Sequence, residues 1–327
     1  MSIIEKAVAR LGDWVPEKLQ PVTSSQNARS TDIPASAFGL EISSGNAQPL
    51  GRDGADTETH VDPSEKTLRY EELDLVRLKD AGMVTQDGAR SQIFEEFRLI
   101  KRPLLKNALG LGPTPIKRGN LIMVTSCMPA EGKSFCSLNL AMSIAMEMDH
   151  TVLLIDADVA KPSLPRMLSI DGGLGLMDVL LEDTLPFSQA LIRTNIDKLK
   201  LLTAGRQHPN ATELLASGAM RDLLEEMSSR YSDRIIIFDS PPLLATTESR
   251  VLATQMGQIV VVVEAGKTPQ QNLREGLAHI ENCENVSLLL NKTRFRGGSG
   301  YYGYGYGYGY GYGYGYGGGS DGAKPSS

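Results

Sequence analysis

The sequence predicts an α/β fold in which a parallel β-sheet carries helices on both faces. Short apolar runs recur between Asn120 and Lys292, and stretches with helical periodicity separate them. The runs are almost continuous in Val, Ile and Leu, which is typical of strands buried on both faces of a parallel sheet. The candidate strands are LIMVTS, VLLIDA, LKLLTAG, RIIIFDS, QIVVVVEAG and VSLLLNK.

The composition of the 327 residues is that of a globular protein, with 41% hydrophobic and 22% charged residues. The net charge of −6 gives no general attraction to nucleic acid. Three cysteines without a CxxC pair suit a reducing cytosol. No apolar run approaches the roughly 20 residues of a membrane span, and the charged N-terminus does not read as a signal peptide. We therefore expect a cytoplasmic protein that reaches a membrane only through a partner.

The N-terminal fifth of the chain, residues 1–68, divides into a helix and a linker. Residues 1–17 have apolar positions at helical spacing, and Ser2 and Glu5 form a capping box. Residues 18–68 are rich in Ser, Asn, Gly, Pro and Asp, which predicts a disordered linker. The sequence leaves open whether the helix folds onto the main domain or serves as a detachable docking helix.

The main domain is predicted over residues 69–295. It begins near YEELDLVRLKDAGMV, where Leu73, Val76 and Leu78 share a helical face, and a second helix is predicted over 91–109. Further helical stretches are expected at Ser134–Met148, Asn210–Ser229 and Gln270–Asn282.

A phosphate-binding loop is indicated by GKS at Gly132, Lys133 and Ser134, directly after the strand LIMVTS and at the start of a helix. Backbone N–H groups of such a loop bind phosphate oxygens, Lys133 bridges the β- and γ-phosphates, and the Ser134 hydroxyl ligates Mg²⁺. The fold is therefore expected to be of the P-loop NTPase type, although Cys127 replaces the usual first glycine. The predicted nucleotide contacts are Pro129, Ala130, Glu131, Gly132, Lys133, Ser134, Phe135 and, at the end of the last strand, Asn291.

Acidic residues follow two further strands. Asp156 and Asp158 end VLLIDAD, and Asp239 ends RIIIFD. Carboxylates at that edge of the sheet can hold Mg²⁺ and orient a nucleophile, whereas a lone Asp after a strand is often only a turn former. Beside the GKS loop, the metal interpretation is favoured, with Ser134, Asp156 and Asp239 as ligands. The predicted catalytic set is Lys133, Asp156, Asp158 and Asp239.

These motifs together resemble the bacterial tyrosine kinases, which autophosphorylate C-terminal tyrosine clusters. DADVAKPSLPRML, TAGRQHPNATELLAS and EEFRLIKRPLL are most similar to the exosortase-associated tyrosine autokinases of exopolysaccharide biosynthesis. The resemblance covers roughly residues 90–317 and implies ATP and Mg²⁺ as cofactors, with Asp156 nearest the incoming tyrosine hydroxyl. Two positions depart from the family pattern: Ala160 stands where an arginine often follows D-x-D-x, and Ala130 where glycine is common.

The resemblance also implies partners. In the family, an E-x-x-R-x-x-R helix builds rings, and Glu95, Arg98 and Lys101 match it with Lys in the last position. The alternative is a solvated charged helix face. A cytoplasmic segment of a membrane polysaccharide co-polymerase, the chain-length determinant, is the implied partner that recruits the kinase to the inner membrane, and a tyrosine phosphatase is implied as well.

The C-terminal segment, residues 296–327, is predicted to be a disordered tail. All but Tyr70 and Tyr231 of the 11 tyrosines lie in it, alternating with glycine. As a flexible chain, Thr293–Gly317 spans about 25–30 Å, enough to reach an active site. The predicted phosphoacceptors are Tyr301, Tyr302, Tyr304, Tyr306, Tyr308, Tyr310, Tyr312, Tyr314 and Tyr316.

Two other interpretations of the tail remain. Tyrosine stacking could make it cohesive, or it could bind nucleic acid, although its few basic residues argue against direct nucleic-acid binding. Either tail would fit an ATPase of the partition or septum-positioning type. Those proteins carry a lysine early in the loop, where this chain has Met128.

Overall fold

A computed structural model of the chain describes residues 68–86, 91–182, 184–230 and 234–293. The predicted N-terminal helix, all but the last residue of the predicted linker, and the tyrosine tail lie outside these ranges. The described residues belong to a unit that ends at Thr293. Within the described part of the chain, no helix is both long and apolar enough to cross a membrane.

One eight-stranded sheet organises the domain. The six predicted strands are confirmed, and they run parallel to one another. Their carboxyl ends therefore meet at one edge of the sheet, where ligands bind in such folds. The strands are β1 (Arg69–Glu71), β2 (Leu121–Ser126), β3 (Thr151–Asp156), β4 (Ile192–Thr194), β5 (Leu199–Leu202), β6 (Arg234–Asp239), β7 (Gln258–Glu264) and β8 (Val286–Asn291). Their order across the sheet is β1-β4-β5-β3-β6-β2-β7-β8.

Two strands at one side of the sheet were not predicted. β1 pairs in parallel with β4, and β4 pairs antiparallel with β5, so both run against the other six. Each has only three residues with mixed burial, which is too short for a periodic sequence signal. The prediction of a purely parallel sheet therefore holds for the centre and not for this edge.

The helices follow the predicted stretches with local differences. The predicted helix over 91–109 is confirmed as Gln92–Ala108, and its N-cap Ser91 accepts a hydrogen bond from the backbone N of Phe94. The stretch predicted as one helix over Asn210–Ser229 forms two helices, Ala211–Leu215 and Gly218–Arg230, separated by a short break. The helices are α1 (Leu75–Asp80), α2 (Gln92–Ala108), α3 (Lys133–Ala145), α4 (Leu164–Leu168), α5 (Leu176–Leu181), α6 (Phe187–Ala190), α7 (Ala211–Leu215), α8 (Gly218–Arg230), α9 (Glu248–Ala253) and α10 (Gln270–Ala278).

Helices cover both faces of the sheet, as predicted. In β2, Leu121 and Met123 point into the layer formed with α5–α10, whereas Ile122 and Val124 point into the layer formed with α1–α4. Burial on both faces explains why the central strands are apolar at every position. The expectation that Val76 shares the buried face of α1 is wrong, because its side chain is 72% exposed.

Lys101 joins α2 to α3 inside the domain. Its side chain is buried, and Nζ lies 2.5 Å from the carbonyl oxygen of Ser143 and 2.6 Å from Oε1 of Glu147. Hydrogen bonding to Lys101 is the largest cause that lowers the pKa of Glu147. Of the three residues predicted to contact a neighbouring subunit, Lys101 is therefore occupied within its own chain. Glu95 and Arg98 pair with each other at 3.0 Å on the outer side of α2.

Candidate active site

The phosphate loop, residues 127–132, joins β2 to α3. Two of its residues have left-handed backbone conformations, Gly132 at φ 98° and Ala130 at φ 66°. A Cβ on Gly132 would lie 2.1 Å from Nδ2 of Asn291, so any larger residue there would displace the Asn291 amide as well as strain the backbone. Ala130 adopts a conformation that costs an L-residue about 1–2 kcal/mol, which is the physical reason why glycine suits this place.

Cys127, at the position of the usual first glycine, is fully buried at the base of the loop. Burial and then the charge of Glu131 raise the pKa of its thiol to about 12, so the thiol stays protonated at neutral pH. A Cβ on Gly276 in α10 would lie 2.6 Å from the sulfur. The cysteine is therefore a packing residue whose side chain fills the space left by a helix glycine.

Lys133 begins α3, and its ammonium group reaches the end of β3. Nζ lies 2.8 Å from Oδ2 of Asp158 and 3.4 Å from Oγ of Ser134. Burial is the largest single influence and lowers the pKa of Lys133, but the summed attraction of Asp239 and the neighbouring carboxylates outweighs it, and the pKa is raised. The ammonium group therefore stays charged at neutral pH.

Asp156 and Asp239 lie side by side because the register of β3 and β6 pairs them directly. Both side chains are fully buried. Oδ2 of Asp156 accepts hydrogen bonds from the backbone N of Ser163 at 2.9 Å and of Leu164 at 3.0 Å, and Oδ1 accepts one from Asp158 N at 3.2 Å. Burial, and next the charge of Asp239, raise the pKa of Asp156 to about 7. Burial also raises the pKa of Asp239.

Serine hydroxyls connect the start of α3 to Asp239. Oγ of Ser163 lies 2.7 Å from Oγ of Ser134 and 3.3 Å from Oδ2 of Asp239, and the Ser137 hydroxyl donates to Oδ1 at 3.0 Å. Neither Ser163 nor Ser137 was predicted from the sequence. For Ser163 the available signal was a hydroxyl residue soon after an acid-bearing strand end, and for Ser137 it was the position one helical turn after Lys133.

The oxygen atoms of this cluster fit Mg²⁺. The Ser134 hydroxyl and the adjacent, buried carboxylates of Asp156 and Asp239 are hard ligands, and a cation would offset their mutual repulsion. Mg²⁺ usually keeps several waters and takes one or two carboxylates, so a small ligand set suffices. In the described ranges, no group of three His, Cys, Asp or Glu side chains is arranged as a complete metal cage.

Glu131 differs from the other predicted nucleotide contacts because its side chain is turned into the protein. It is buried, and its carboxylate accepts hydrogen bonds from the backbone N of Met128 at 2.7 Å and from the Thr268 hydroxyl. The side chain therefore supports the loop from the β7–α10 connection. Only its backbone is left to face a ligand.

Asn291 and the tip of the loop complete the predicted nucleotide contacts. Nδ2 of Asn291 donates to the carbonyl oxygen of Glu131 at 2.9 Å, so the side-chain amide of this residue supports the loop. Pro129 and Ala130 are exposed at the tip, and Phe135 packs against the core from the first turn of α3. The predicted acceptor tyrosines lie outside the described residues.

A strand–loop–helix whose lysine pairs with an acid that follows another strand of the same parallel sheet, β3, defines a P-loop NTPase of the ParA type. The family model described as NUBPL iron-transfer P-loop NTPase, ParA, matches residues 117–280.

Curated relatives narrow the assignment. Tyrosine-protein kinase YwqD of Bacillus subtilis is 34% identical over 186 residues, which cover 56% of this chain and 77% of the relative. Putative tyrosine-protein kinase CapB of Staphylococcus aureus is 29% identical over 223 residues, 67% of this chain and 93% of the relative. The chain belongs to the bacterial tyrosine-protein kinases.

Two further comparisons bear on context and fold. The succinoglycan biosynthesis transport protein ExoP of Rhizobium meliloti is 31% identical over 216 residues, but this chain covers only 26% of its length. The crystal structure of the chimerical protein CapA2B2 superposes with a TM-score of 0.56 at 26% identity, and the match covers 65% of this chain and 91% of that one.

Proposed function

We propose that this chain is an ATP-dependent autokinase that phosphorylates the tyrosines of its own C-terminal segment, residues 296–327. The observation that carries the proposal is the contact between Lys133 and Asp158 at the phosphate loop, beside the buried pair Asp156 and Asp239. That arrangement supplies a cation for phosphate and a carboxylate for a proton within one small space. Membership of the tyrosine-kinase family and the clustered tyrosines support tyrosine as the acceptor.

In this proposal Lys133 exchanges one anion for another. When ATP binds, the ammonium group of Lys133 turns from Asp158 to the β- and γ-phosphate oxygens. Oδ2 of Asp158 then loses its hydrogen-bond partner. The tyrosine oxygen attacks the γ-phosphorus, the bond from phosphorus to the β–γ bridging oxygen breaks, and the phenolic proton passes to a carboxylate. Magnesium, held by Ser134 and the buried acids, supplies charge neutralisation of the phosphates when bound.

Asp158 suits the role of proton acceptor better than Asp156, which the sequence favoured. Asp156 is fully buried, and both of its carboxylate oxygens accept backbone hydrogen bonds. Asp158 has one oxygen on Lys133 and the other on the backbone N of Lys161 at 3.1 Å, so departure of Lys133 frees an oxygen. We therefore assign proton transfer to Asp158 and the alignment of its loop to Asp156.

The cellular role that we propose is control of exopolysaccharide biosynthesis. A membrane co-polymerase would recruit the kinase through its cytoplasmic segment, and a phosphatase would reset the tail. The name of the relative ExoP and the resemblance of the motifs support this context. Assembly into a ring would use Glu95 and Arg98, which lie on the outer side of α2.

Intact mass measurement of purified protein with ATP and Mg²⁺ tests the proposal. We expect a ladder of added phosphates in the wild-type chain and none in Lys133→Met, which lacks the phosphate-binding cation. A variant with Phe at every tail tyrosine should bind ATP and gain no phosphate. Phosphate release from ATP without a ladder in the wild type would contradict the autokinase and favour a plain ATPase, and persistent phosphotyrosine in the Phe variant would exclude the tail as the acceptor.

A further inference from the structure

Lys292, directly after β8, contacts the phosphate loop although it is not among the predicted site residues. Its Nζ donates to the carbonyl oxygen of Ala130 at 2.7 Å and lies 3.0 Å from Oε2 of Glu264 at the end of β7. The side chain is 45% exposed, so its ammonium is held at the surface by these two acceptors. The end of β8 thus adds a cation to the outside of the loop.

The contact falls on the strained residue of the loop. Ala130 has φ 66°, and the peptide group that follows it carries the carbonyl that Lys292 binds. The next carbonyl along the chain, that of Glu131, is bound by Nδ2 of Asn291 at 2.9 Å. The two residues at the end of β8 therefore fix two successive peptide planes.

Fixing the carbonyl oxygens also fixes the opposite sides of the same peptide groups. In a trans peptide the N–H points away from the C=O, so the N–H groups of Glu131 and Gly132 are directed away from Lys292 and Asn291. Those N–H groups are the donors that a phosphate loop offers to its ligand. Holding the carbonyls from outside therefore orients the phosphate-binding donors before the nucleotide arrives.

We propose that Lys292, anchored by Glu264, is a positioning residue for nucleotide binding that stabilises the left-handed conformation of Ala130. It acts through the loop and not by touching the phosphates. The identity of the nucleotide as ATP rests on the proposed function, but the coupling between Lys292 and Ala130 does not. The loop has alanine at a position where glycine would adopt the backbone conformation without strain, and the hydrogen bond from Lys292 offsets part of that strain.

A double-mutant cycle on ATP affinity tests the mechanism. Lys292→Met keeps the length of the side chain and removes its charge, and we expect the affinity for ATP with Mg²⁺, measured by calorimetry, to fall about tenfold. Ala130→Gly removes the backbone strain at that residue, since glycine adopts positive φ freely. In the Ala130→Gly background, Lys292→Met should therefore weaken binding by only about twofold to threefold.

Controls separate this coupling from folding and from simple loss of charge. Lys267 is the other lysine on Glu264, at 3.4 Å, and its side chain is 72% exposed. Lys267→Met therefore removes a positive charge that also pairs with Glu264, and it should leave the affinity for ATP unchanged. Lys292→Arg should restore most of the affinity. Circular dichroism melting curves should show each variant folded at the temperature of the titration.

An equal loss of affinity from Lys292→Met in the wild-type and Ala130→Gly backgrounds would overturn the proposal and indicate a direct charge effect on the nucleotide. No loss from Lys292→Met would overturn it as well. Because binding is the readout, a wild-type chain that binds ATP without forming phosphotyrosine would contradict the proposed kinase function alone. The coupling between residues 130 and 292 would still be measured in that case.

Discussion

At the scale of single residues, the charge of the site depends on the pH at which the buried carboxyl group of Asp156 loses its proton. Asp156 has a pKa raised to about 7, first because it is buried and next because Asp239 lies beside it. An acid whose pKa is raised in the folded state favours folding while it is protonated. Its contribution is fully present below the unfolded pKa, about 3.8, and is lost as the pH rises to about 7.

Asp156→Asn tests this assignment through stability. The measurement is made without nucleotide and Mg²⁺. As the pH rises from about 4.5 to about 7.5, the wild type should lose the part of its unfolding free energy that depends on a protonated Asp156. The variant should not, because Asn cannot ionise, so its stability relative to the wild type should increase. A constant offset is expected from the altered hydrogen bonds to Ser163 and Leu164. Urea denaturation at several pH values measures the shift, and Asp149→Asn, at an exposed position, is the matched control. A difference that does not change with pH would contradict the raised pKa.

Residues that bind phosphate or metal with their own side chains could be predicted from the sequence. Residues that hold another residue of the site in place could not. Lys133 and the strand-end acids stand at positions where a strand delivers them to the ligand edge. Ser163 and Lys292 gain their importance from contacts with Ser134 and Ala130, which lie far away in the sequence. Asn291 was predicted at the site, but no sequence signal indicated that its amide would bind the loop backbone.

At the scale of elements, α2 is held by the buried cation Lys101. The ammonium binds the carbonyl of Ser143 in the last turn of α3, where a cation is favoured by the helix dipole. Pairing with Glu147 completes the contact. The i, i+3 pattern of Glu95, Arg98 and Lys101 suggested one exposed stripe, but the third position turns inward against α3.

Lys101→Met and Arg98→Met separate the internal contact from the proposed subunit contact. Lys101→Met keeps the aliphatic packing and removes a charged hydrogen-bond donor, so unfolding free energy should fall by about 1–3 kcal/mol. Arg98→Met removes an exposed ion pair with Glu95 and the contact of its guanidinium with the Phe94 ring, 5.9 Å from the ring centroid. It should change stability by less than about 1 kcal/mol, while lowering the oligomeric mass. Urea denaturation and light scattering measure the two effects. Equal stability losses, or an unchanged mass for Arg98→Met, would contradict this division.

Element prediction succeeded where burial on both faces left a strong signal. The central strands are long enough and apolar enough to be recognised from the sequence alone. β1 and β4 have three residues each and are stabilised by pairing with neighbours, and local sequence does not specify such pairing. The break between α7 and α8 was missed because apolar periodicity continues across it.

At the scale of the molecule, strand order creates the site. β2, which leads into the phosphate loop, lies between β6 and β7, and β3 lies on the other side of β6. Three strands separated in sequence thus deliver the loop, Asp156 and Asp239 to neighbouring positions. The sequence predicted a shared edge for these groups but not the order of the strands. The order depends on the crossovers between strands, and the periodicity of a single strand carries no information about these crossovers.

Charge is the property of the whole molecule that phosphorylation changes most. The chain has a net charge of −6, and phosphates on all the tail tyrosines would bring it to about −20 to −24. If chains assemble as proposed, repulsion between phosphorylated tails should lower the oligomeric mass at low salt. Raising the ionic strength shortens the screening length to about 3 Å at 1 M and should restore assembly.

Light scattering before and after incubation with ATP and Mg²⁺ measures the change in oligomeric mass, with the all-Phe tail variant as the control. A mass that is the same before and after phosphorylation, or a loss that salt does not reverse, would show that tail charge does not govern assembly.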